Sequence, residues 1–402
     1  LVLKLYFKLN TASYTIHHYL WTNKGATTIQ VADDESNTMT IGETLDAAQF
    51  VKQGLANGAV FKDYSPSQTK TITANPNDNV IIIYYTDNPV LNAEGFMKVF
   101  DGQTYSMKPA QVTGAFEGQT FKITYQFKKD GAGNWSDEFD NTSMFQQTYA
   151  GVIDVRVIAR NENYDDIVRD VKLEITPRPV KIEVKKAERI YNGKLWTVAD
   201  ADGNEYTVEP FNETNNSGIV EGFEVAALDV VYGDGDDIDT DGKIDVGVYP
   251  AAIKEKPEEI KVKLGAGSGE DMSKNFAFEL VRGQLVINKA SATVTITGVN
   301  ETHVYDGKQH EANGYNYSFT GKPNEITISL KPNVLAIARR TDVGTTYMGL
   351  TKDSFTVTSK NYEVTITEVI DGYVTITPVT DKVTVTVTEN SATYTYDGTE
   401  HS

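Results

Sequence analysis

A short turn motif that recurs four times limits the fold of this 402-residue chain more than any other feature. Each copy is an aromatic residue followed by Asp-Gly or Asn-Gly. These dipeptides favour tight hairpin turns, because both of their residues tolerate positive φ. The aromatic residues lie 91, 114 and 91 residues apart, and a turn that returns at this spacing predicts tandem modules. The four copies are Phe100-Asp101-Gly102, Tyr191-Asn192-Gly193, Tyr305-Asp306-Gly307 and Tyr396-Asp397-Gly398. We expect the aromatic residue to pack inwards.

Three further elements follow the turn in the same order: a corner that contains glycine, an Asn-aromatic pair and a closing strand. The corners are Ala150-Gly151-Val152, Asp245-Val246-Gly247 and Asp342-Val343-Gly344. The Asn-aromatic pairs are Asn163-Tyr164, Asn275-Phe276 and Asn361-Tyr362. The closing strands end at Pro177, Lys289 and Pro378. Together these elements predict one β-sandwich of roughly 90 residues per repeat.

The choice of residues indicates strands along most of the chain. Tyrosine, threonine and valine are abundant, and apolar residues alternate with polar ones in runs such as 292–296 and 382–387. Such alternation is typical of half-buried strands. Residues 43–56, with Leu45, Phe50 and Leu55, are the best candidate for a single helix. The predicted fold class is predominantly all-β, with one β-grasp-like module, for which this segment is the candidate helix, and then tandem immunoglobulin-like β-sandwiches.

Residues 90–402 resemble the repeated MBG-type domains of Firmicutes surface proteins. Those domains open with Tyr-Asp-Gly-Lys-x-His, which residues 305–310 match in full and residues 396–401 match except at Thr399. The resemblance implies immunoglobulin-like sandwiches in a Gram-positive cell-surface or cell-wall protein. The middle repeat departs from the pattern, because Leu195-Trp196 replaces the end of the opening. His310 and His401 share one position in the motif, and we expect each to make a structural hydrogen bond.

Residues 12–88 lack these repeats and resemble the MucBP-like β-grasp repeats of mucin-binding adhesins. The resemblance rests on an opening strand at residues 14–20, YTIHHYL, and on a closing strand at residues 80–85, VIIIYY. It implies a β-grasp module and a mucin or another host glycan as ligand. His17 and His18 fall inside the opening strand, so we expect them to belong to the faces of a strand and not to a metal site.

The patterns divide the chain into six segments. These are the closing strand of a preceding module at 1–10, a MucBP-like module at 11–89, MBG-like sandwiches at 90–179, 180–289 and 290–379, and the start of a fourth sandwich at 380–402. The second sandwich carries an acidic insertion. Two interpretations of the apolar strand at residues 2–7 stay open: an arbitrary edge of a fragment, or a strand that completes the sheet of another chain.

Charge and composition exclude several classes of function. A net charge of -19 would repel a phosphate backbone, so nucleic acid is not an expected partner. The chain has no cysteine, which excludes a disulfide scaffold, a thiolate metal site and a cysteine nucleophile. It has no apolar run of transmembrane length, and no serine lies in a nucleophile-elbow motif. We therefore expect an extracellular protein that is not an enzyme and has no catalytic residue.

An aspartate-rich stretch at residues 234–245 is the candidate metal site. Asp237, Asp239 and Asp241 have the spacing of the first three ligands of a calcium loop, and Asp245 falls at the ninth position. Val248 stands where the bidentate glutamate of an EF-hand would be, so the loop is not an EF-hand. The spacing predicts a weak Ca²⁺ site, and the alternative is a solvated acidic turn.

A second chemical possibility is a Lys–Asn isopeptide crosslink, which many cysteine-free Gram-positive surface domains carry. The candidate lysines are Lys181, Lys185 and Lys186, and the candidate asparagine is Asn275. The recurrence of the Asn-aromatic pair favours the alternative, in which the asparagine serves a turn.

The expected function is a structural spacer, namely a stalk or adhesin segment that projects from a bacterial surface and contacts neighbouring modules or subunits. One alternative is a module that binds mucin or another glycan through the aromatic residues Trp21, Tyr19 and Tyr64. Another alternative is a subunit of a surface filament assembled by strand addition. The two main hypotheses differ in whether residues 11–89 bind a glycan.

Overall fold

The computed structural model of the protein describes residues 4, 9–129, 131–202, 205–234, 237–265 and 269–401. Over these residues the chain is all-β, with many small sheets in tandem β-sandwich repeats, which confirms the predicted fold class. The chain forms two compact units. The first contains residues 1–183, 208–228 and 255–281, and the second contains residues 184–207, 229–254 and 282–402. In the described part of the chain, no helix is long and apolar enough to cross a membrane.

The first unit begins with a mixed five-stranded sheet. The strands of this region are β1 (Thr11–Thr22), β2 (Gly25–Gln30), β3 (Glu35–Thr40), β4 (Thr44–Asp46), β5 (Val60–Ser65), β6 (Thr69–Thr71) and β7 (Val80–Thr86). β1 and β7 run parallel at the centre, β2 and β3 pair with opposite ends of β1, and β5 pairs with β7. β4 and β6 form a separate pair. This arrangement fits the β-grasp-like module expected at residues 11–89.

Strict alternation along β1 decides which face of this sheet carries the core. The even-numbered residues from Ala12 to Thr22 are buried, and the odd-numbered residues are partly or fully exposed. Burial of the apolar members of the buried face is the main stabilising contribution. The core cluster includes Tyr14, Ile16, Leu20, Leu45, Ile81, Ile83 and Tyr85.

The helix predicted at residues 43–56 is wrong. This segment consists of β4, a 3-10 turn at Ala47–Phe50 and the start of a second 3-10 turn at Ala56–Gly58. Asp46 Oδ1 accepts a hydrogen bond from Ala48 N at 3.0 Å and starts the first turn. Gly54 has a φ of 67°, which no helix tolerates, so the apolar spacing did not correspond to a helical face.

A four-stranded sheet forms the next part of the first unit. The strands here are β8 (Val90–Asn92), β9 (Phe96–Val99), β10 (Tyr105–Ser106), β11 (Gln111–Thr113), β12 (Lys122–Lys129), β13 (Gln146–Gln147), β14 (Gly151–Asn161) and β15 (Tyr164–Thr176). The main sheet has the order β12-β14-β15-β9, and β10 with β13 and β8 with β11 make two smaller pairs. Its core includes Tyr125, Phe145, Val155, Val157 and Leu173.

Residues 178–288 contribute strands to both units. These strands are β16 (Arg178–Val184), β17 (Lys186–Ile190), β18 (Tyr206–Val208), β19 (Phe223–Val225), β20 (Val230–Asp234), β21 (Asp237–Thr240), β22 (Gly247–Ile253), β23 (Val262–Leu264), β24 (Phe276–Val281) and β25 (Gly283–Asn288). In the first unit β16 runs parallel to β24, and β19 pairs with β23. In the second unit β17, β25, β22, β20 and β21 form one sheet in that order. A single helical turn, α1, spans Ala199–Asp202.

The rest of the second unit has two three-stranded sheets. Its strands are β26 (Ala290–Gly298), β27 (Asn300–Val304), β28 (His310–Asn313), β29 (Tyr315–Phe319), β30 (Ile326–Leu330), β31 (Ile337–Arg340), β32 (Gly344–Tyr347), β33 (Phe355–Ser359), β34 (Tyr362–Ile370) and β35 (Tyr373–Thr377). The sheets have the orders β29-β26-β34 and β27-β35-β32, and two pairs, β28-β31 and β30-β33, accompany them. Val294, Ile296 and Phe355 belong to one core cluster, and Val374 and Ile376 to another.

The predicted strand at residues 382–387 is wrong, because residues 380–401 contain no strand. Val383, Val385 and Val387 are 82%, 77% and 82% exposed. A strand needs neighbours for its backbone groups, and this segment pairs with none in the described part of the chain. The strand predicted at residues 2–7 lies outside the described residues, apart from Lys4. The six module limits stay a prediction.

Candidate functional site

The Asn-aromatic pair of a repeat packs on the turn and corner of the preceding repeat. We name the two joints formed in this way after their aromatic residues. The 100–276 joint brings Phe100 to Phe276, and the 191–362 joint brings Tyr191 to Tyr362. The ring centroids are 5.3 and 5.4 Å apart, with the rings at 88° and 85°. This is the favoured edge-to-face geometry. The first joint lies wholly within the first unit and the second within the second unit.

A buried asparagine side chain fastens each joint. Asn275 Oδ1 accepts a hydrogen bond from Ala150 N at 2.8 Å, and Asn361 Oδ1 accepts one from Val246 N at 3.0 Å. Both asparagines are buried, so an amide left without partners would cost free energy. The corner amide of one repeat is therefore the donor, and the asparagine of the next repeat is the acceptor, in both joints.

The 100–276 joint is mainly aromatic. Phe100 is fully buried, and it contacts Phe223 edge to face at 5.4 Å as well as Phe276. Tyr149 stacks on Phe100, with the ring centroids 6.4 Å apart. The inward packing predicted for the turn aromatic is confirmed for Phe100 and Tyr191, which are 0% and 4% exposed. It is wrong for Tyr305 and Tyr396, which are 42% and 96% exposed.

Arg178 is a buried cation beside the 100–276 joint, and the sequence analysis did not single it out. Its side chain is 1% exposed, and its guanidinium donates to four backbone carbonyls. The acceptors are Ser217 O at 3.1 Å, Gly218 O at 3.1 Å, Phe100 O at 3.2 Å and Asn212 O at 2.7 Å. Burial lowers the pKa of this guanidinium. A lone arginine between two prolines, in Pro177-Arg178-Pro179, was the available sequence signal.

The 191–362 joint has polar groups where the first joint has rings. The Tyr191 hydroxyl donates to Glu325 Oε1 at 2.6 Å. Asn361 Nδ2 donates to Glu325 Oε2 and to Asp245 Oδ1, each at 3.0 Å. Lys360 Nζ donates to the other oxygen, Asp245 Oδ2, at 2.5 Å. Two carboxylates and one lysine therefore surround the asparagine.

These contacts shift the ionisation of the groups in the 191–362 joint. Hydrogen bonds from Lys360 and then Asn361 lower the pKa of Asp245. The hydrogen bond from Tyr191 lowers the pKa of Glu325. Burial, and then the hydrogen bond to Glu325, raises the pKa of Tyr191 to about 12. The joint is therefore most stable with both carboxylates ionised and the phenol neutral.

We predict that acid weakens the second unit through Asp245. A carboxyl whose pKa is lower in the folded state than in the unfolded state stabilises the folded protein at pH values above its unfolded pKa, about 4. This stabilisation is lost as the pH falls through the folded-state pKa. We expect Asp245→Asn to lower the melting temperature of the second unit at pH 7 by up to about 4 °C. The difference from the wild type should disappear near pH 2.

The matched control for this prediction is Asp342→Asn, which changes the same corner position in the last repeat. Asp342 is exposed, so we expect its variant to melt like the wild type throughout. Calorimetry at several pH values makes the comparison. Equal melting temperatures for the two variants at neutral pH would contradict the assignment of Asp245 to the joint.

The first Asn-aromatic pair makes a related contact with residues 11–89, which we call the 87–164 joint. The Tyr164 ring belongs to the core cluster of the N-terminal sheet, and its hydroxyl donates to Asp87 Oδ2 at 2.5 Å. Phe116 N donates to the same oxygen at 2.7 Å. Asp165 N donates to Asn23 Oδ1 at 2.9 Å. In this joint the acceptor is an aspartate instead of an asparagine, and the donor is a tyrosine hydroxyl instead of a corner amide.

The histidine hydrogen bonds predicted for the turn motif are confirmed. His310 Nε2 lies 2.9 Å from Asp306 Oδ1, and His401 Nε2 lies 3.0 Å from Asp397 Oδ1. Asp306 Oδ1 also accepts a hydrogen bond from Lys308 N at 2.9 Å. The turn is therefore held in shape by its own residues.

The three residues predicted to bind a glycan do not lie together. Tyr19 and Trp21 occupy the half-exposed face of β1, where Tyr19 stacks on His17 at 5.3 Å and Trp21 meets Tyr84 at 5.0 Å. Tyr64 instead packs against the core cluster on the opposite face. A bulge in β5 between Phe61 and Asp63 shifts the alternation, so Tyr64 does not share a face with Tyr19 and Trp21. A role of these residues in glycan binding stays a prediction. His17 and His18 lie on the two faces of β1, as predicted.

The aspartates of the predicted calcium loop are divided between β21 and the segment that connects it to β22. Asp237 and Asp239 lie in β21, and their side chains fall outside the described residues. Asp241 is exposed, and Asp245 is committed to Lys360 and Asn361 in the 191–362 joint. Asp245 is therefore not free to act as the ninth ligand. Among the described side chains, no group of three or more His, Asp or Glu residues is arranged to hold a metal.

Two of the candidate lysines and the candidate asparagine of the isopeptide crosslink have other partners. Lys181 Nζ pairs with Glu183 at 3.0 Å and Lys186 Nζ with Glu188 at 2.6 Å. Asn275 Nδ2 donates to Met272 O at 3.0 Å, while Oδ1 is used by the joint. The asparagine serves a joint between repeats, which the sequence interpretation as a turn did not include.

No family model and no curated protein matches the chain. Among solved structures, it is similar to the extracellular domain of protocadherin gammaB4, with 10% identity over 90% of this chain and 65% of that one and a TM-score of 0.24. The chain is also similar to Drosophila N-cadherin EC1-4, with 11% identity over 79% of this chain and 82% of that one and a TM-score of 0.22. A third similar structure contains the three N-terminal domains of the bacteriophage RB49 outer capsid protein Hoc. The identity is 15% over 73% of this chain and 99% of that one, with a TM-score of 0.18. The chain thus spans 65% of the protocadherin gammaB4 structure, and the likeness is one of fold alone.

Proposed function

We propose that this chain is a spacer of a bacterial extracellular surface protein, in which joints between repeats keep neighbouring sandwiches from moving independently. The observation that carries the proposal is that two joints share one construction, a turn aromatic with a buried Asn-aromatic pair. Domains connected only by flexible linkers move freely, whereas a buried interface couples their motion. In this proposal the chain has no catalytic residue.

The net charge of -19 also suits an exposed, soluble spacer. The absence of cysteine means that its stability must come from packing and hydrogen bonds. Cell-wall attachment and a Gram-positive source belong to this proposal through the MBG-type resemblance alone.

Small-angle scattering of the full chain tests the spacer. Within each unit, we expect the repeats that a joint connects to keep one arrangement in the wild-type chain. The double variant Asn275→Ala, Asn361→Ala should need an ensemble of arrangements. A wild-type chain that scatters like freely jointed beads, with no change in the variant, would refute the proposal.

A second candidate function is glycan binding by the N-terminal sheet. It is favoured by the half-exposed aromatic row of His17, Tyr19 and Trp21 on the face opposite the core, where Trp21 packs on the buried ring of Tyr84. Flat aromatic faces bordered by polar groups suit stacking against sugar rings. The mucin resemblance names the ligand class.

We expect the full chain to bind a mucin-glycan array and Trp21→Ala to lose at least about tenfold in affinity, which corresponds to about 1.4 kcal/mol. Tyr64→Phe, on the core face, is the control and should bind as the wild type does. If the wild-type chain binds no glycan on the array, the glycan-binding function is refuted and the spacer function is unaffected.

Calcium binding by Asp237, Asp239 and Asp241 stays a prediction. A rise in melting temperature on adding millimolar Ca²⁺, lost in Asp239→Ala with Asp241→Ala, would support it. Strand addition through residues 2–7 likewise stays a prediction.

A further inference from the structure

The last repeat of the described chain presents the same turn and corner as the repeat before it, but no described residue of another repeat packs on them. We call the surface of Tyr305, Gly307, Asp342 and Val343 the open face. Tyr305 is 42% exposed and Val343 is 48% exposed. Among the described residues, Val343 N donates to no acceptor. The open face is therefore a third joint surface without its partner.

The turn glycines show the same difference. A side chain at Gly193 would overlap Lys322, and one at Gly102 would press on Val220. A side chain at Gly307 would meet nothing within 4 Å. Two turns are covered by the following repeat, whereas no described residue covers the third.

The residues of the open face match those of the 191–362 joint, which is polar, and not those of the 100–276 joint, which is mainly aromatic. Tyr305 corresponds to Tyr191, and Asp342-Val343 corresponds to Asp245-Val246. In the 100–276 joint these positions hold Phe100 and Tyr149-Ala150, which have no carboxylate. A phenol and a carboxylate that both become buried require polar partners.

We propose that the open face binds a sandwich repeat that presents a Lys-Asn-Tyr sequence and a nearby carboxylate. The lysine would pair with Asp342, the asparagine would accept from Val343 N, and the carboxylate would accept from the Tyr305 hydroxyl. These are the roles that Lys360, Asn361 and Glu325 have in the 191–362 joint. The turn needs no rearrangement, because His310 and Lys308 N already hold Asp306 in place.

A second copy of this chain does not provide that partner. Its own Asn-aromatic pairs are covered, with Tyr164, Phe276 and Tyr362 only 1%, 6% and 8% exposed. The occupant is therefore an additional repeat whose pair is free. This inference concerns recognition between repeats, and it holds whatever the chain binds and wherever it is located.

The test is an extended chain in which a second copy of residues 290–379 follows residue 379. Hydrogen exchange of the Val343 amide is measured by NMR in this chain and in the original one. We expect exchange at Val343 to slow by about tenfold or more in the extended chain, as a solvent-exposed amide becomes a buried donor.

The control is the same extended chain with Asn361→Ala and Glu325→Gln in the added copy only, and there Val343 should exchange as fast as in the original chain. Unchanged exchange at Val343 in the extended chain would overturn the proposal. Equal protection with the control copy would overturn it too, because the protection would then not come from the asparagine and the carboxylate. Scattering of the original chain, which tests the spacer, is independent of either result.

Discussion

Replacing Phe100 by alanine should destabilise the first unit by about 3–5 kcal/mol, the usual cost of removing a buried phenylalanine ring. The ring is fully buried between Phe276, Phe223 and Tyr149, so the cavity would lie at the centre of the 100–276 joint. Urea unfolding followed by tryptophan fluorescence measures the loss, because Trp21 and Trp135 report on the first unit and Trp196 on the second.

The matched control is Tyr396→Ala, which changes the same position of the motif where the ring is 96% exposed. Its effect should stay within about 0.5 kcal/mol, as for other exposed sites. A loss below about 1 kcal/mol for Phe100→Ala would contradict this prediction, because removal of a buried aromatic ring usually costs more. The 100–276 joint would then contribute little to the stability of the first unit.

Replacing Arg178 by methionine should cost the first unit about 3 kcal/mol or more. Methionine fills much of the volume but donates nothing. The carbonyls of Asn212 and Ser217 keep hydrogen bonds from Ser217 N and Asn212 N, whereas those of Phe100 and Gly218 lose the Arg178 donor, at about 1–3 kcal/mol for each group left unsatisfied. Arg178→Lys should recover only part of the loss, because an ammonium lacks the planar fork that reaches several acceptors.

Arg169→Met is the control for this substitution, because Arg169 is exposed and belongs to the same unit. We expect its effect to stay within about 0.5 kcal/mol. Denaturant unfolding at neutral pH compares the three variants. Full stability in Arg178→Met would show that a buried charge can be replaced here without loss, as happens for some buried ion pairs.

The sequence was sufficient to predict the strands and the repeats, because both are local patterns. Alternation gave the all-β class, and the Asp-Gly turns gave the tandem organisation. The histidine hydrogen bond within the turn was also predictable, since its partners are four residues apart in the chain. A local pattern does not show whether a segment has a neighbouring strand to pair with. The strand predicted at residues 382–387 is wrong for that reason.

The joints could not be predicted, because their partners are far apart and use a backbone donor. Asn275 meets the amide of Ala150, and Asn361 meets that of Val246; a backbone amide leaves no signature in the sequence. The Asn-aromatic pair was interpreted as part of its own repeat. Its recurrence after every corner was the signal that could have suggested a contact between repeats. Tyr64 shows a different limit, since one bulge reverses the face of a strand.

Hydrogen exchange of three corner amides in the unmodified chain tests the joints most directly. Ala150, Val246 and Val343 occupy the same position in successive repeats, and the first two amides donate to an asparagine of the following repeat. We expect Ala150 and Val246 to exchange about tenfold or more slowly than Val343, and each to lose this protection in Asn275→Ala and Asn361→Ala respectively. Equal exchange at all three amides, or protection that survives the asparagine variants, would contradict the joints.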